Sequence, residues 1–151
     1  MTFATLKVLA RGNANGQIAL LSSPLSLWGG LDLETGTISD VNHPQHGLLL
    51  AGKVLAMRAA RGSSSSSSAL VEASRRGVAP TAILLARPDP ILTIGSLVAA
   101  SLYGVHIPIV LIPDHHWDQI PANARTLVQA DDAAGSVRFF TERDEFDISS
   151  F

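Results

Sequence analysis

Gly52-Lys53-Val54-Leu55-Ala56-Met57, then Arg61-Gly62 with the serine run Ser63-Ser64-Ser65-Ser66-Ser67-Ser68, then Ala69-Leu70-Val71-Glu72-Ala73-Ser74-Arg75-Arg76-Gly77, is the stretch that decides the fold. It reads as strand, glycine turn and hydroxyl-rich helix start. Gly77 just past the last turn, with Arg75 and Arg76 inside it, suits a helix C-terminus. Backbone N–H groups at a helix start attract anions, and serine hydroxyls beside them donate or accept hydrogen bonds. The segment therefore reads as an anion or hydroxyl site, or as the place of a serine used as a base. A plain flexible loop and an ordinary helix cap are the alternatives. A serine-rich linker would leave pieces of roughly 60 and 80 residues, each with a marginal core. Its flanks are also apolar and periodic, unlike a disordered segment.

Downstream, Thr81 to Ala86 reads as a second buried strand, Ile91 to Tyr103 as a second helix stopped by Gly104, and Val105 to Ile112 as a third strand. This β-α-β-α-β order predicts a parallel sheet with right-handed crossovers. Ile91 to Ile112 is long enough for a membrane span, but Gly104 and Pro108 punctuate it, and helix followed by strand accounts for it better. Upstream, the chain is β-rich. Phe3 to Ala10 and Gln17 to Leu21 read as short strands separated by the turn cluster Gly12-Asn13-Ala14-Asn15-Gly16, and Thr37 to Val41 as a further strand. Leu127 to Ala130 and Val137 to Phe140 complete the β content, and the acidic residues at the end read as frayed. The expected fold is α/β: one domain over residues 1–151, with a β-rich N-terminal layer joined to a small parallel core.

Composition narrows the function. The 151 residues are 46% hydrophobic and only 16% charged, enough for a sizeable core and suggestive of surface covered by a partner. A net charge of −2 without a basic block argues against nucleic acid as a partner. With no cysteine, this chain forms no disulfide and holds no cysteine-ligated iron–sulfur cluster. Met1 to Lys7 lacks the pattern of a signal peptide, so a cytoplasmic protein without membrane attachment is expected.

Other candidate residues lie outside the serine run. Trp28-Gly29-Gly30-Leu31-Asp32 reads either as a tight turn with Trp28 plugging the core, or as a loop facing a ligand or partner with Asp32 as a polar anchor. His43 and His46 near Asp40 suggest a metal site, but no third ligand is evident and Pro44 prevents a helical placement, so none is expected. His115-His116 follows a strand end, where α/β sheets often meet ligands, and reads as a pair of surface-loop histidines. GxSxG, Walker and HExxH motifs are absent.

Taken in order, Gly12-x-Ala14-x-Gly16, Pro24-Leu25-Ser26-x-Trp28-Gly29-Gly30-x-Asp32, His43-Pro44-x-x-Gly47, Ala51-Gly52-Lys53-Val54 and Arg61-Gly62-Ser63 resemble the small subunit, or swivel domain, of aconitase X. Ala79-Pro80, Gly95 and Pro108 fit the same pattern, and the resemblance runs from about Leu6 to Ile112. Singly these motifs are weak; as an ordered series they are specific. The resemblance implies a swivelling β/β/α fold and a hydro-lyase active only as a heterodimer. The large subunit would carry an iron or iron–sulfur centre and most substrate contacts, with no cofactor bound by this chain.

It further implies that Ser63 is the catalytic base or acid, that Gly62, Ser64, Ser67 and Arg61 contact substrate, and that Trp28, Gly29, Gly30, Asp32 and His43 form a partner or active-site loop. Arg61 would lower the serine pKa. The uniform serine run departs from the family's usual glycine-serine motif, which leaves the register of the base open by a residue or two. Family substrates divide between cis-3-hydroxy-L-proline, dehydrated to a pyrroline carboxylate, and mevalonate 5-phosphate. Few basic residues near the motifs favour the amino acid. A phosphohistidine carrier using His43 has a similar expected fold, but Asn42 and Pro44 flank that histidine unsuitably. A non-catalytic binding module is the other rival.

Overall fold

The structure, a computed structural model, describes residues 1–140. Three strands come first, β1 (Thr2–Leu6), β2 (Val8–Ala10) and β3 (Gly12–Leu20), followed by a kinked turn, α1 (Leu27–Gly30). The centre holds β4 (Val54–Ala56), α2 (Ser66–Arg76), β5 (Ala82–Leu85), α3 (Pro90–Tyr103) and β6 (Ile109–Leu111). A short α4 (Asp114–Trp117) leads to the hairpin strands β7 (Arg125–Ala130) and β8 (Gly135–Phe140).

The strands hydrogen-bond in the order β1-β8-β7-β3-β4-β5-β6-β2. The run β3-β4-β5-β6 is parallel, with Ile18 opposite Val54, Val54 opposite Ala82 and Ile83 opposite Ile109. The remaining pairs are antiparallel. Side chains alternate across a strand, and the parallel strands are apolar on both faces. Leu55, Ile83 and Ile109 therefore face one core together with Leu70, Ala73 and Leu92 of the two long helices. Val54, Ala56, Ala82, Leu84 and Val110 face a second core with Phe3, Val128, Val137 and Phe139 from the antiparallel strands. Antiparallel strands, parallel strands and helices thus form three layers.

Local chemistry sets the helix ends. Pro90 occupies the first turn of α3, and the Asp89 carboxylate caps it by accepting the Leu92 N–H at 2.9 Å. Gly77 and Gly104 close α2 and α3, as expected.

Some expectations need correction. Phe3 to Ala10 is two strands: β1 pairs with β8 and β2 with β6, and Lys7 alone separates them. The supposed turn cluster Gly12 to Gly16 is the first half of β3, paired along its length with β7. A Cβ on Gly16 would lie 2.7 Å from the Gly52 carbonyl oxygen, so this glycine serves close strand-to-loop packing, not a turn. Thr37 to Val41 makes only the isolated bridges Leu31–Ile38 and Thr37–Leu49. His115 and His116 lie on α4. The expectation of frayed acidic residues at the end falls outside the described residues.

Candidate functional site

The parallel strands β4 and β5 end beside the starts of α2 and α3, and the serine run lies there. Ser63 Oγ accepts the Ser65 N–H at 3.0 Å, and the Ser63 carbonyl accepts the Ser66 N–H at 3.0 Å. These two bonds turn the chain into α2. Gly62 makes the approach possible. Its φ is +96°, and a Cβ there would lie 2.3 Å from Ser26 Oγ.

The Ser26 segment is fastened to the helix start at further points. Ser66 is only 4% exposed, and its Oγ accepts the Trp28 N–H at 3.2 Å. Ser26 Oγ donates to the Trp28 carbonyl at 3.1 Å and stands 3.5 Å from Ser66 Oγ. The Arg61 N–H points to the Leu25 carbonyl at 3.4 Å. Between these pieces and α3 lies a cleft of about 280 Å³, lined among others by Arg61, Gly62, Ser63, Ser66, Asp89 and Ile91. A wider hollow of about 810 Å³, which includes Arg125 and Phe140, shares no residue with it.

The serines are not equivalent. Ser63 is exposed in the cleft. Among the described residues its own O–H is donated to no partner. Ser64 is exposed but does not line the cleft, and Ser67 donates its O–H to the Ser64 carbonyl at 2.9 Å while its backbone packs on Gly95 of α3. The structure brings Arg61, Gly62 and Ser63 together and leaves Ser64 and Ser67 outside the cleft. Sequence reading assigned Ser26 and Asp89 no site role and Ser66 none apart from the run; the place of Ser26 in Pro24-Leu25-Ser26-x-Trp28-Gly29-Gly30 was the one signal pointing to it.

Arg61 is paired with Asp40 at 3.2 Å, so its charge on Ser63 is partly offset. Trp28 is 57% exposed and does not plug the core; with Gly29 it forms a projecting loop at the cleft side. Asp32 is used within its own turn. Its Oδ1 accepts the N–H groups of Glu34 at 2.8 Å and Thr35 at 3.2 Å. These bonds, Glu34 first, hold its carboxyl below the ordinary carboxylate range.

His43 is 5% exposed. Its Nδ1 accepts the Gln45 N–H at 3.0 Å, which leaves Nε2–H to donate to the Ser23 carbonyl at 3.0 Å. Both ring nitrogens are occupied, so His43 is a structural post for this loop and offers nothing to a phosphoryl group or metal. Among the described residues no group of three or more His, Cys, Asp or Glu side chains gathers as a metal site. Nor is any described helix long and apolar enough to cross a membrane.

An antiparallel layer, a parallel layer and a helical layer, with a glycine-serine turn at the parallel strand ends, define a swivel-type β/β/α domain. The family model of the aconitase X swivel domain matches residues 4–139, and the chain belongs to that family. It is 39% identical over 116 residues to cis-3-hydroxy-L-proline dehydratase of Pseudomonas aeruginosa, covering 77% of this chain and 20% of that protein. It is 31% identical to the phosphomevalonate dehydratase small subunit of Methanothermobacter thermautotrophicus, covering 88% of this chain and 96% of that one. Aconitase X of Thermococcus kodakaraensis superposes with a TM-score of 0.80 at 25% identity, over 93% of this chain and 99% of that chain. The chain thus spans about a fifth of the length of the cis-3-hydroxy-L-proline dehydratase and nearly all of the small subunit.

Proposed function

We propose that this chain is the small subunit of a two-subunit, cytoplasmic hydro-lyase, with Ser63 as the base that removes a proton beside the substrate carboxylate. The observation that carries this reading is the state of Ser63. It is the serine of the run that is both exposed and in the cleft, and its oxygen already accepts a backbone N–H. That N–H stabilises an alkoxide, and the anion-attracting start of α2 adds to it. Loss of water from the hydroxy acid then needs the C–H proton on Ser63 Oγ and the hydroxyl group leaving from the neighbouring carbon. An iron centre in the large subunit would supply Lewis acidity toward that hydroxyl. The donor set here does not fit iron: the chain has no cysteine and both nitrogens of His43 are engaged.

We infer cis-3-hydroxy-L-proline as the substrate. The relative at 39% identity carries that name. In the cleft, Arg61 is already paired with Asp40, and Asp89 adds negative charge, a poor setting for a phosphorylated anion. The match in length to a separate phosphomevalonate dehydratase small subunit favours mevalonate 5-phosphate as the second reading. Co-expression with an iron-loaded aconitase X large subunit, followed by dehydration assays on both compounds, separates them. Turnover of the hydroxyproline is expected. Turnover of mevalonate 5-phosphate alone would overturn the substrate, and turnover of neither would overturn the reading. In the active complex, Ser63→Ala is expected to lower kcat by at least about 100-fold with assembly intact. Near-normal activity would remove Ser63 as the base.

A further inference from the structure

Helix α3 is apolar on two sides, and among the described residues the fold uses only one. Leu92, Gly95, Ser96 and Ala99 are buried in the domain, and Ser96 Oγ donates to the Ile107 carbonyl at 2.5 Å. On the other side Ile94 and Leu97 are 55% and 54% exposed, with Val98 and Leu102 also open. No charged residue lies between Pro90 and Tyr103. The neighbouring α2 is finished differently: Arg75 and Arg76 both pair with Glu72 on its surface. Water suits that face of α2 and does not suit this face of α3.

Position indicates the occupant. Ile91 lines the Ser63 cleft, and Ile94 stands about one turn further along α3. The exposed strip therefore begins at the cleft that, on the functional reading above, a large subunit must cover. Trp28 projects from the same region through its bond to Ser66. The Pseudomonas aeruginosa relative contains the matching segment as a fifth of one longer chain. A body joined to it permanently calls for an apolar contact more than a transient partner would.

We propose that the outer face of α3, together with Trp28, is the docking surface for the aconitase X large subunit. This rests on the two-subunit reading. The test uses the full chain and a tagged large subunit, with affinity measured for wild type, Ile94→Glu, Leu97→Glu, Leu97→Ser and, as a control on β7, Gln129→Glu. Circular dichroism confirms that each variant is folded. Wild type and Gln129→Glu are expected to bind alike, with Kd raised at least about 100-fold by either glutamate and less by serine. Unchanged binding by both glutamate variants, with wild type bound, would overturn the docking surface and leave the hydro-lyase reading standing. Failure of wild type to bind would overturn both. A wild-type homodimer that Leu97→Glu dissociates, with large-subunit binding unaffected, would make a second copy the occupant and refute the proposal.

Discussion

At the scale of single residues, six identical serines stand in different surroundings. Helical phase and tertiary contact distinguish them: Ser63 opens to the cleft, Ser66 is buried under Trp28, and Ser67 donates back to the Ser64 carbonyl. Gly62 was legible as part of a motif, but its reason is steric and lies 36 positions away in Ser26. Gly62→Ala is expected to destabilise the fold by about 1–3 kcal/mol, from strain at positive φ and the collision with Ser26. Thermal melting checks this, and an unchanged midpoint would mean that the loop yields freely. The burial of His43 and the internal use of Asp32 were invisible for a similar reason. The carbonyl partner of His43, Ser23, lies 20 positions away, and the turn at Glu34-Thr35-Gly36 was legible from sequence while its use of the Asp32 carboxylate was not.

At the scale of elements, β4, α2, β5, α3 and β6 were readable because hydrophobic period, caps and glycine stops agree. The N-terminal strands were not, since glycine-rich sequence resembles a turn until its pairing with β7 is seen. Helix α2 also carries a pH signature. Hydrogen bonds from Arg75 and then Arg76 lower the Glu72 carboxyl from an ordinary 4.5 to about 2. A carboxylate depressed in the folded state stabilises it above its unfolded value, and that contribution fades as pH falls through the folded value. Glu72→Gln should therefore melt slightly lower than wild type at neutral pH. The gap should narrow between pH 4.5 and about 2 and close below that. A gap independent of pH would show that charge is not its source. The effect is small, because these groups face water.

At the scale of the molecule, β1 closes the second core against the last described strand. Phe3 is buried in the second core, stacked on the His116 ring at 4.5 Å and edge-on to Phe139 at 5.4 Å. Phe3→Ala is expected to cost about 3–4 kcal/mol, read from urea unfolding. A loss below about 1 kcal/mol would mean that this corner repacks or is dispensable. Neither contact was visible from sequence, because both join residues more than a hundred positions apart.

Lys7 has the widest consequence. The strands on either side of it sit at opposite ends of the strand order, one on β8 and the other on β6. On the ribosome both strands emerge well before their partners, β6 at 109–111 and β8 at 135–140. β2 must wait, unpaired, until β6 has been made, and β1 until β8 has been made. Folding can be completed only when both waiting strands are stitched in.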